Sequence, residues 1–247
     1  MAAPILNLPN GLRLYLDTEE RVKDAGYIAA EIFEQRTYQR PGFELLPTDL
    51  VVDIGAHTGL FALWTAPQVP QGRIVCIEPT DAIESLRQSF VPNHLSNITI
   101  LRCAVGPPSS QMELSDCPAY GCLSRSTAFR LPFLTRRLLE KSAIRERTRV
   151  ITSPCRSLEE IMHGESLPHI DFLKVDCEGG EYAILDHSSD GVLRKVKRIA
   201  MEFHEFHSSH DHRQLVRRLE SCGFKVQIQK PWLKYHLYKV GMLWACR

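Results

Sequence analysis

The stretch Leu50-Val51-Val52-Asp53-Ile54-Gly55-Ala56-His57-Thr58-Gly59 constrains this chain more than any other. Leu50 to Ile54 is a short apolar run of the kind that forms a parallel strand buried on both faces. Asp53 interrupts it near its end. Gly55 and Gly59 follow at a four-residue spacing, and Leu60-Phe61-Ala62-Leu63-Trp64 then reads as a helix. Strand, tight turn and helix start make a cradle for a nucleotide-like ligand, because glycine lets backbone N–H groups come close and a helix N-terminus favours negative charge. The blander reading is an ordinary strand–helix turn, since two glycines alone are a weak motif.

A second apolar run, Arg73-Ile74-Val75-Cys76-Ile77, ends in Glu78-Pro79. A carboxylate at the end of a second strand is placed to accept hydrogen bonds from two ribose hydroxyls. The pattern Asp53-x-Gly55-x-x-x-Gly59 lacks one glycine of the dinucleotide fingerprint, with His57 in its place, so there is less provision for a pyrophosphate. Adenosine without phosphate fits better, and S-adenosyl-L-methionine is the common ligand of that kind. A nicotinamide dehydrogenase is disfavoured on the same ground.

The remaining chain alternates in the same way, which predicts a single α/β domain over residues 1–247, built on a doubly wound, Rossmann-like parallel sheet of seven strands closed by an antiparallel pair. Residues 1–48 form an N-terminal helical cap, with one helix over Glu19–Gln39 stopped by Pro41-Gly42. Tyr38 and Arg40 are placed to reach the ligand's carboxylate, and surface support is their simpler and preferred role. A third strand runs Ile98–Val105, where the backbone around Ala104 borders an adenine. Residues 107–168 break the rhythm and read as an insertion or lid. Within it Arg130, Arg136, Arg137, Lys141, Arg145, Arg147 and Arg149 face only two acids, a solvated helix face more readily than an anion site. Further strands are expected at Ile170–Glu178, Val196–His204, Lys225–Gln229 and His236–Cys246, with helices at Glu181–Leu193 and Asp211–Cys222.

The 247 residues carry a net charge of +1. That argues against a nucleic-acid or anionic-membrane partner, which usually needs a basic surplus. No signal peptide or transmembrane run is read, and the eight cysteines contain no C-x-x-C pair. Cys117 and Cys122 could pair, but reduced thiols and a cytoplasmic location are expected.

Side chains on a strand alternate faces. Lys174, Asp176 and Glu178 therefore share one face of the fourth strand, and Glu202 and His204 share one face of the fifth. Charge in buried strands is costly unless paired or facing a cleft. Asp176, His204 and Glu202 are the expected catalytic residues, with His204 as base because its ordinary pKa lies near neutrality. An internal ion-pair network such as Lys174 with Asp176 is the bland alternative. A hard divalent cation is possible on these acids. Zinc is disfavoured for want of a cysteine pair, and no metal is assigned.

Together, Asp53-x-Gly55-x-x-x-Gly59, Glu78-Pro79, Lys174-x-Asp176-x-Glu178-Gly179-Gly180-Glu181 and Glu202-Phe203-His204 resemble the FkbM family of S-adenosylmethionine-dependent methyltransferases. The resemblance runs from about Glu31 to Gly223. His57 stands where an asparagine is usual, Ser157-Leu158-Glu159 where Thr-Leu-Asp is usual, and Asp186-His187 in place of Lys-Gly. The resemblance implies a class I methyltransferase fold and methylation of a hydroxyl on a small-molecule or glycan acceptor. Asp53, Gly55, His57, Gly59, Glu78, Pro79, Ala104 and Asp176 are the expected cofactor-binding residues. A nitrogen acceptor and a non-catalytic module that keeps the cofactor pocket are the alternatives.

Overall fold

The computed structural model describes residues 3–116, 125–126 and 148–247. After a small hairpin, β1 (Ile5–Asn7) with β2 (Arg13–Tyr15), helix α1 (Glu19–Ala29) begins at Thr18, whose side chain accepts the Arg21 N–H. The main sheet uses β3 (Leu50–Ile54), β4 (Arg73–Ile77), β5 (Ile98–Leu101), β10 (Ile170–Val175), β11 (Val196–His204), β12 (Lys225–Gln229) and β13 (Val240–Cys246). A second sheet takes β6 (Ala104–Val105), β7 (Ser110–Asp116), β8 (Arg125–Ser126) and β9 (Arg149–Arg156). The other α-helices of the described residues are α2 (Leu60–Thr65), α3 (Glu84–Ser89), α4 (Leu158–Gly164), α5 (Glu181–Asp186), α6 (Asp190–Leu193), α7 (His212–Ser221) and α8 (Trp232–Tyr238).

The main sheet has seven strands in the order β12-β13-β11-β10-β3-β4-β5. Its pairs are parallel except for the two made by β13, which runs antiparallel to both β11 and β12. This is the Rossmann-like arrangement expected, and the order reverses between β3 and β10. Parallel strands need cover on both faces, and two apolar layers supply it. Val52, Ile54, Val75, Ile77, Leu173 and Val175 pack with Leu158, Ile161, Tyr182 and Leu219 on one face. Val51, Ile74 and Phe172 pack with Ala25, Leu60, Phe61 and Trp244 on the other. Period-two alternation along β3 thus sends Val51 and Val52 to different cores.

Four expected boundaries move, each for a local reason. Helix α1 ends at Ala29 and one π-turn follows over Ala30–Glu34. The Glu31 carbonyl then accepts both the N–H and the hydroxyl of Thr37, which turns the chain inward and buries Tyr38. The strand expected over Ile98–Val105 is two pieces, because Ala104 and Val105 pair with Cys155 and Arg156 of β9. The segment expected over Glu181–Leu193 is two helices, since the Ser189 hydroxyl caps a fresh start at Val192 N–H. Residues 232–238 are α8 and not strand, and only Val240–Cys246 joins the sheet. The described part of the insertion holds a β-ribbon, β7 paired antiparallel with β9, followed by α4. The basic residues from Arg130 to Arg147, Cys117 and Cys122 lie outside the described residues.

Where β3 ends, Gly55 has φ +79°, and a Cβ built there would stand 1.7 Å from the Asp176 carbonyl oxygen. Gly42 has a similar φ of +87° but open space around it. Gly42→Ala should therefore cost about 1–2 kcal/mol, the left-handed penalty alone. Gly55→Ala should cost about 4 kcal/mol or more, because backbone must move as well. Urea unfolding of the two variants gives the comparison; equal losses would show that the close approach carries no weight.

Candidate functional site

The glycine turn and β4 make one wall of a cleft at the strand-order reversal. The N–H groups of Gly55 and Ala56 bond to the Ile77 carbonyl, which lays the turn across the end of β4. His57 has φ +49°, an uncommon value for a residue with a Cβ, and its N–H donates to Glu78 Oε2 at 2.9 Å. Glu78 Oε1 accepts the Thr80 N–H at 2.9 Å. Burial raises the Glu78 carboxyl, opposed by those two N–H groups. The Thr80 side chain bonds to the carboxylate as well, so about one of its four lone-pair sites is left for a further donor. Gly59, at φ +88°, admits no Cβ because Leu86 would be 2.5 Å away.

Beneath the turn lies a buried ion pair. Lys174 Nζ donates to the Gly55 carbonyl at 2.7 Å and sits 3.0 Å from Asp53 Oδ1. Burial disfavours the ammonium, but Asp53 and Asp176 outweigh it and keep it charged. The rings of Tyr38 and Phe61 also lie near it, at 5.8 and 6.0 Å.

The opposite wall comes from the ends of β10 and β11. Asp176, Glu178 and His204 bring one donor atom each to within 4.8 Å of one another. Tyr38 donates its hydroxyl to Asp176 Oδ2 at 3.0 Å. His204 Nδ1 lies 3.0 Å from Glu181 Oε1, and its Nε2 lies 3.6 Å from Glu178 Oε2. Glu202 Oε1 meets Lys234 Nζ of α8 at 2.8 Å. Burial alone would lower the His204 pKa, but Glu181 and Glu178 outweigh it and lift the group to about 10. Burial raises Glu178, His204 draws it back, and Asp176, Glu202 and Glu181 add to the rise, which reaches about 8. Asp176 also resists ionisation by burial, yet Lys174, His204 and the Tyr38 hydroxyl prevail and hold it below the usual value.

The stretch that carries the glycine turn, Glu78 and the titratable cluster is similar in sequence to known proteins. A family model described as the methyltransferase FkbM domain covers residues 53–226. The chain belongs to the FkbM methyltransferase family. The 31-O-demethyl-FK506 methyltransferase FkbM of Streptomyces tacrolimicus is 25% identical, over 90% of this chain and 88% of its own. Methyltransferase 1 of Beauveria bassiana is 27% identical, over 90% and 89%. The AMB antimetabolite synthetase AmbE of Pseudomonas aeruginosa is 25% identical over 81% of this chain, which spans only 10% of that protein. The crystal structure of methyltransferase FkbM from Methylobacillus flagellatus superposes with a TM-score of 0.53 at 16% identity. It covers 87% of this chain, which spans 47% of that one, and it bears out the Rossmann-like fold.

In this FkbM-family methyltransferase the residues expected to bind cofactor divide into two groups. Gly55, His57, Glu78, Pro79 and Asp176 stand at the cleft, and Gly59 shapes the turn. Asp53 is fully buried and holds Lys174, so its carboxylate supports the turn from below. Ala104 is buried as well and pairs with β9, beyond the end of β5. Asp176, Glu202 and His204 do gather at one place. His204, however, is clamped between Glu181 and Glu178 as an imidazolium, which removes the lone pair a base needs. Tyr38, expected near the ligand with surface support as its simpler role, instead holds Asp176, and residue spacing gave no warning of Lys234 in the site. Glu181 was visible within the Lys174–Glu181 run, without a partner. Asp176, Glu178 and His204 offer a cation three donors, but the His204 proton already supplies a charge there. No helix among the described residues is long and apolar enough to cross a membrane.

Removing Lys174 alone leaves Asp53 buried and unpaired. Lys174→Met should cost about 3–5 kcal/mol, and Asp53→Leu added to it should recover much of that loss. A double variant no more stable than the single one in urea would show that the pair is not coupled.

His204 and Glu178 both hold their protons more tightly in the folded chain. His204 contributes fully below 6.5, its ordinary value, and that contribution is lost as pH rises toward about 10. The Glu178 contribution declines between 4.5 and about 8. Stability to urea should thus fall from about pH 6.5 to about pH 9, with a shallower decline in His204→Gln. Stability that rises over that window would contradict the clamp.

Proposed function

We propose that this methyltransferase moves the methyl group of S-adenosyl-L-methionine to a hydroxyl oxygen of a small-molecule or glycan acceptor. The observation that carries this reading is the pairing of two unlike walls at one strand-order reversal. The β3–β4 wall offers a backbone cradle and Glu78, which suit an uncharged adenosine. Its shape depends on two glycines, since a Cβ at Gly55 would meet the Asp176 carbonyl oxygen and one at Gly59 would meet Leu86. The β10–β11 wall offers carboxylates, which suit the donor's sulfonium and an acceptor's hydroxyl. Methyl transfer is an in-line displacement, so the protein's task is to align two reactants and provide for one proton.

The donor supplies an electrophilic methyl carbon when bound. Glu78 accepts its ribose hydroxyls, His57 and Pro79 border the adenosine, and Asp176, fixed by Tyr38, faces the amino-acid end and the transferring methyl. Asp176, Glu202 and His204 set the charge around the acceptor, His204 as a fixed cation that holds Glu178 in place. The name of the Streptomyces tacrolimicus relative specifies an oxygen acceptor, which favours oxygen over nitrogen here. The free cysteines, among them Cys76, Cys103, Cys155 and Cys222, suit a reducing cytoplasmic location.

Glu78→Ala should weaken S-adenosylmethionine binding by about 1–3 kcal/mol in calorimetry, the worth of hydrogen bonds to a charged group. Its circular dichroism should match the wild type. Unchanged affinity in a folded variant would remove Glu78 from the donor site. Transfer of a radiolabelled methyl group to amines but not to alcohols would replace the oxygen acceptor by a nitrogen one.

A further inference from the structure

The cluster holds a group whose geometry no role described so far uses. Glu178 follows the last residues of β10 with φ +51°, a left-handed value unusual for a residue with a Cβ, and Gly179 continues at φ +104°. Such backbone costs about 1–3 kcal/mol and persists where the surroundings enforce it, often at working sites. Here the enforcement is visible. Glu181 Oε1 accepts the Cys177 N–H at 3.0 Å and the Gly179 N–H at 3.3 Å, and so pins the residues on both sides of Glu178. The bend turns the Glu178 carboxylate toward Asp176 and His204, with its side chain 19% exposed. Beside it, the side chain of His204 is 3% exposed and that of Glu181 fully buried.

We propose that Glu178 is the general base that takes the acceptor's hydroxyl proton. The inference rests on the oxygen-acceptor reading for its substrate and on the geometry of the β10 bend for its residue. Other groups at the site are committed. His204 carries its proton on a nitrogen held by Glu181, Asp176 receives the Tyr38 hydroxyl, and Glu202 is neutralised by Lys234. Glu178 has the one carboxylate of the cluster whose described partner, His204 Nε2, stands beyond hydrogen-bond length at 3.6 Å.

Its electrostatic setting agrees. The charged and titratable groups acting on it are His204 and Glu202 from β11, Asp176 at the end of β10, and Glu181 of α5. Burial is the main cause of its rise, His204 opposes it and the three acids add to it, so the carboxyl reaches about 8. A base is most effective when its pKa lies near the working pH. In the step itself the acceptor oxygen forms a bond to the methyl carbon. The carbon–sulfur bond breaks, and its electron pair stays on sulfur as a neutral thioether. The hydroxyl proton passes to the Glu178 carboxylate and from there to water, so charge and atoms balance without an oxidant or a metal.

The test uses the full chain in metal-free buffer with S-adenosylmethionine and a hydroxyl acceptor. For the wild type, kcat should rise with pH about an apparent midpoint near 8 and level off above it. Glu178→Gln, a near-isosteric change, should lower kcat by about 10²–10⁴ and abolish that limb. Its donor affinity should stay within about twofold in calorimetry, since Glu78 and the turn are untouched. Glu178→Asp should retain part of the rate. A Glu178→Gln variant with near-full kcat, or one that keeps the limb, would overturn the assignment. Should the wild type bind donor but methylate no alcohol, the oxygen-acceptor reading fails and carboxyl ¹³C NMR decides the residue separately. A Glu178 carboxyl titrating near 8 keeps it as the proton acceptor for another nucleophile, and one titrating at the ordinary glutamate value of 4.5 overturns it.

Discussion

Everything at the centre of this sheet depends on one buried ammonium. Lys174 grows from β10, ties to Asp53 of β3 and to the carbonyl of Gly55, and so joins the two strands at which the order reverses. A lysine there is costly to desolvate, and an apolar pair of equal volume would pack as well or better. What the apolar pair would lack is direction. The ammonium fixes the Gly55 carbonyl and leaves the N–H groups of Gly55 and Ala56 aimed at β4, and the turn behind them aimed at Glu78. It also stands close enough to Asp176 to favour the ionised carboxylate. One side chain thus shapes the backbone cradle and tunes the first acid of the opposite wall.

The second wall is a study in like charge. Asp176, Glu178, Glu181 and Glu202 crowd the ends of β10 and β11, and Lys234 and the His204 imidazolium answer only part of that charge. Such crowding is relieved by protonation or by a cationic guest, and both bear on transfer from a sulfonium. The acids are not equivalent. Glu181 is buried and spent on backbone N–H groups and His204, Asp176 is held by a phenol, and Glu202 by an amine. Burial raises Glu178 and Glu202 while Lys174, His204 and Tyr38 hold Asp176 down, which is how carboxylates of one chemical type come to hold different roles in one site.

Much of this was legible in the sequence, and the limits have physical causes. Apolar runs of strand length, separated by helical periods, sufficed for the sheet and its reversed last strand. Strand parity placed Asp176 with Lys174, and Glu202 with His204. Parity does not say which neighbour a charge selects, so Lys174 turned out to serve Asp53. Nor does it reveal backbone that leaves a strand: the bend at Glu178 and the departure of Ala104 toward β9 arise from tertiary hydrogen bonds. Tyr38 reaches Asp176 from 138 positions away, after a π-turn that no local propensity announces. The most instructive case is His204. A lone histidine suggests a neutral base near pH 7, and only the buried carboxylate on its Nδ1 reverses that reading.

The two walls differ in what they are made of. Contacts suited to adenosine come from β3 and β4, and they are mostly backbone, hence insensitive to which side chains surround them. Contacts suited to the acceptor come from β10, β11 and α8, and they are side chains on strand ends and a short helix. Lys234 is the clearest instance: α8 adds nothing to the sheet, yet it delivers the cation that settles Glu202. Trp232 and Leu233 on the same helix are 72% and 62% exposed, so they add little to the core. A substitution in α8 would therefore alter the acceptor's surroundings with little cost to the fold, whereas one at Gly55 or Lys174 would cost the fold itself. Stability is concentrated at the β3–β10 junction, and tolerance at the exposed face of α8.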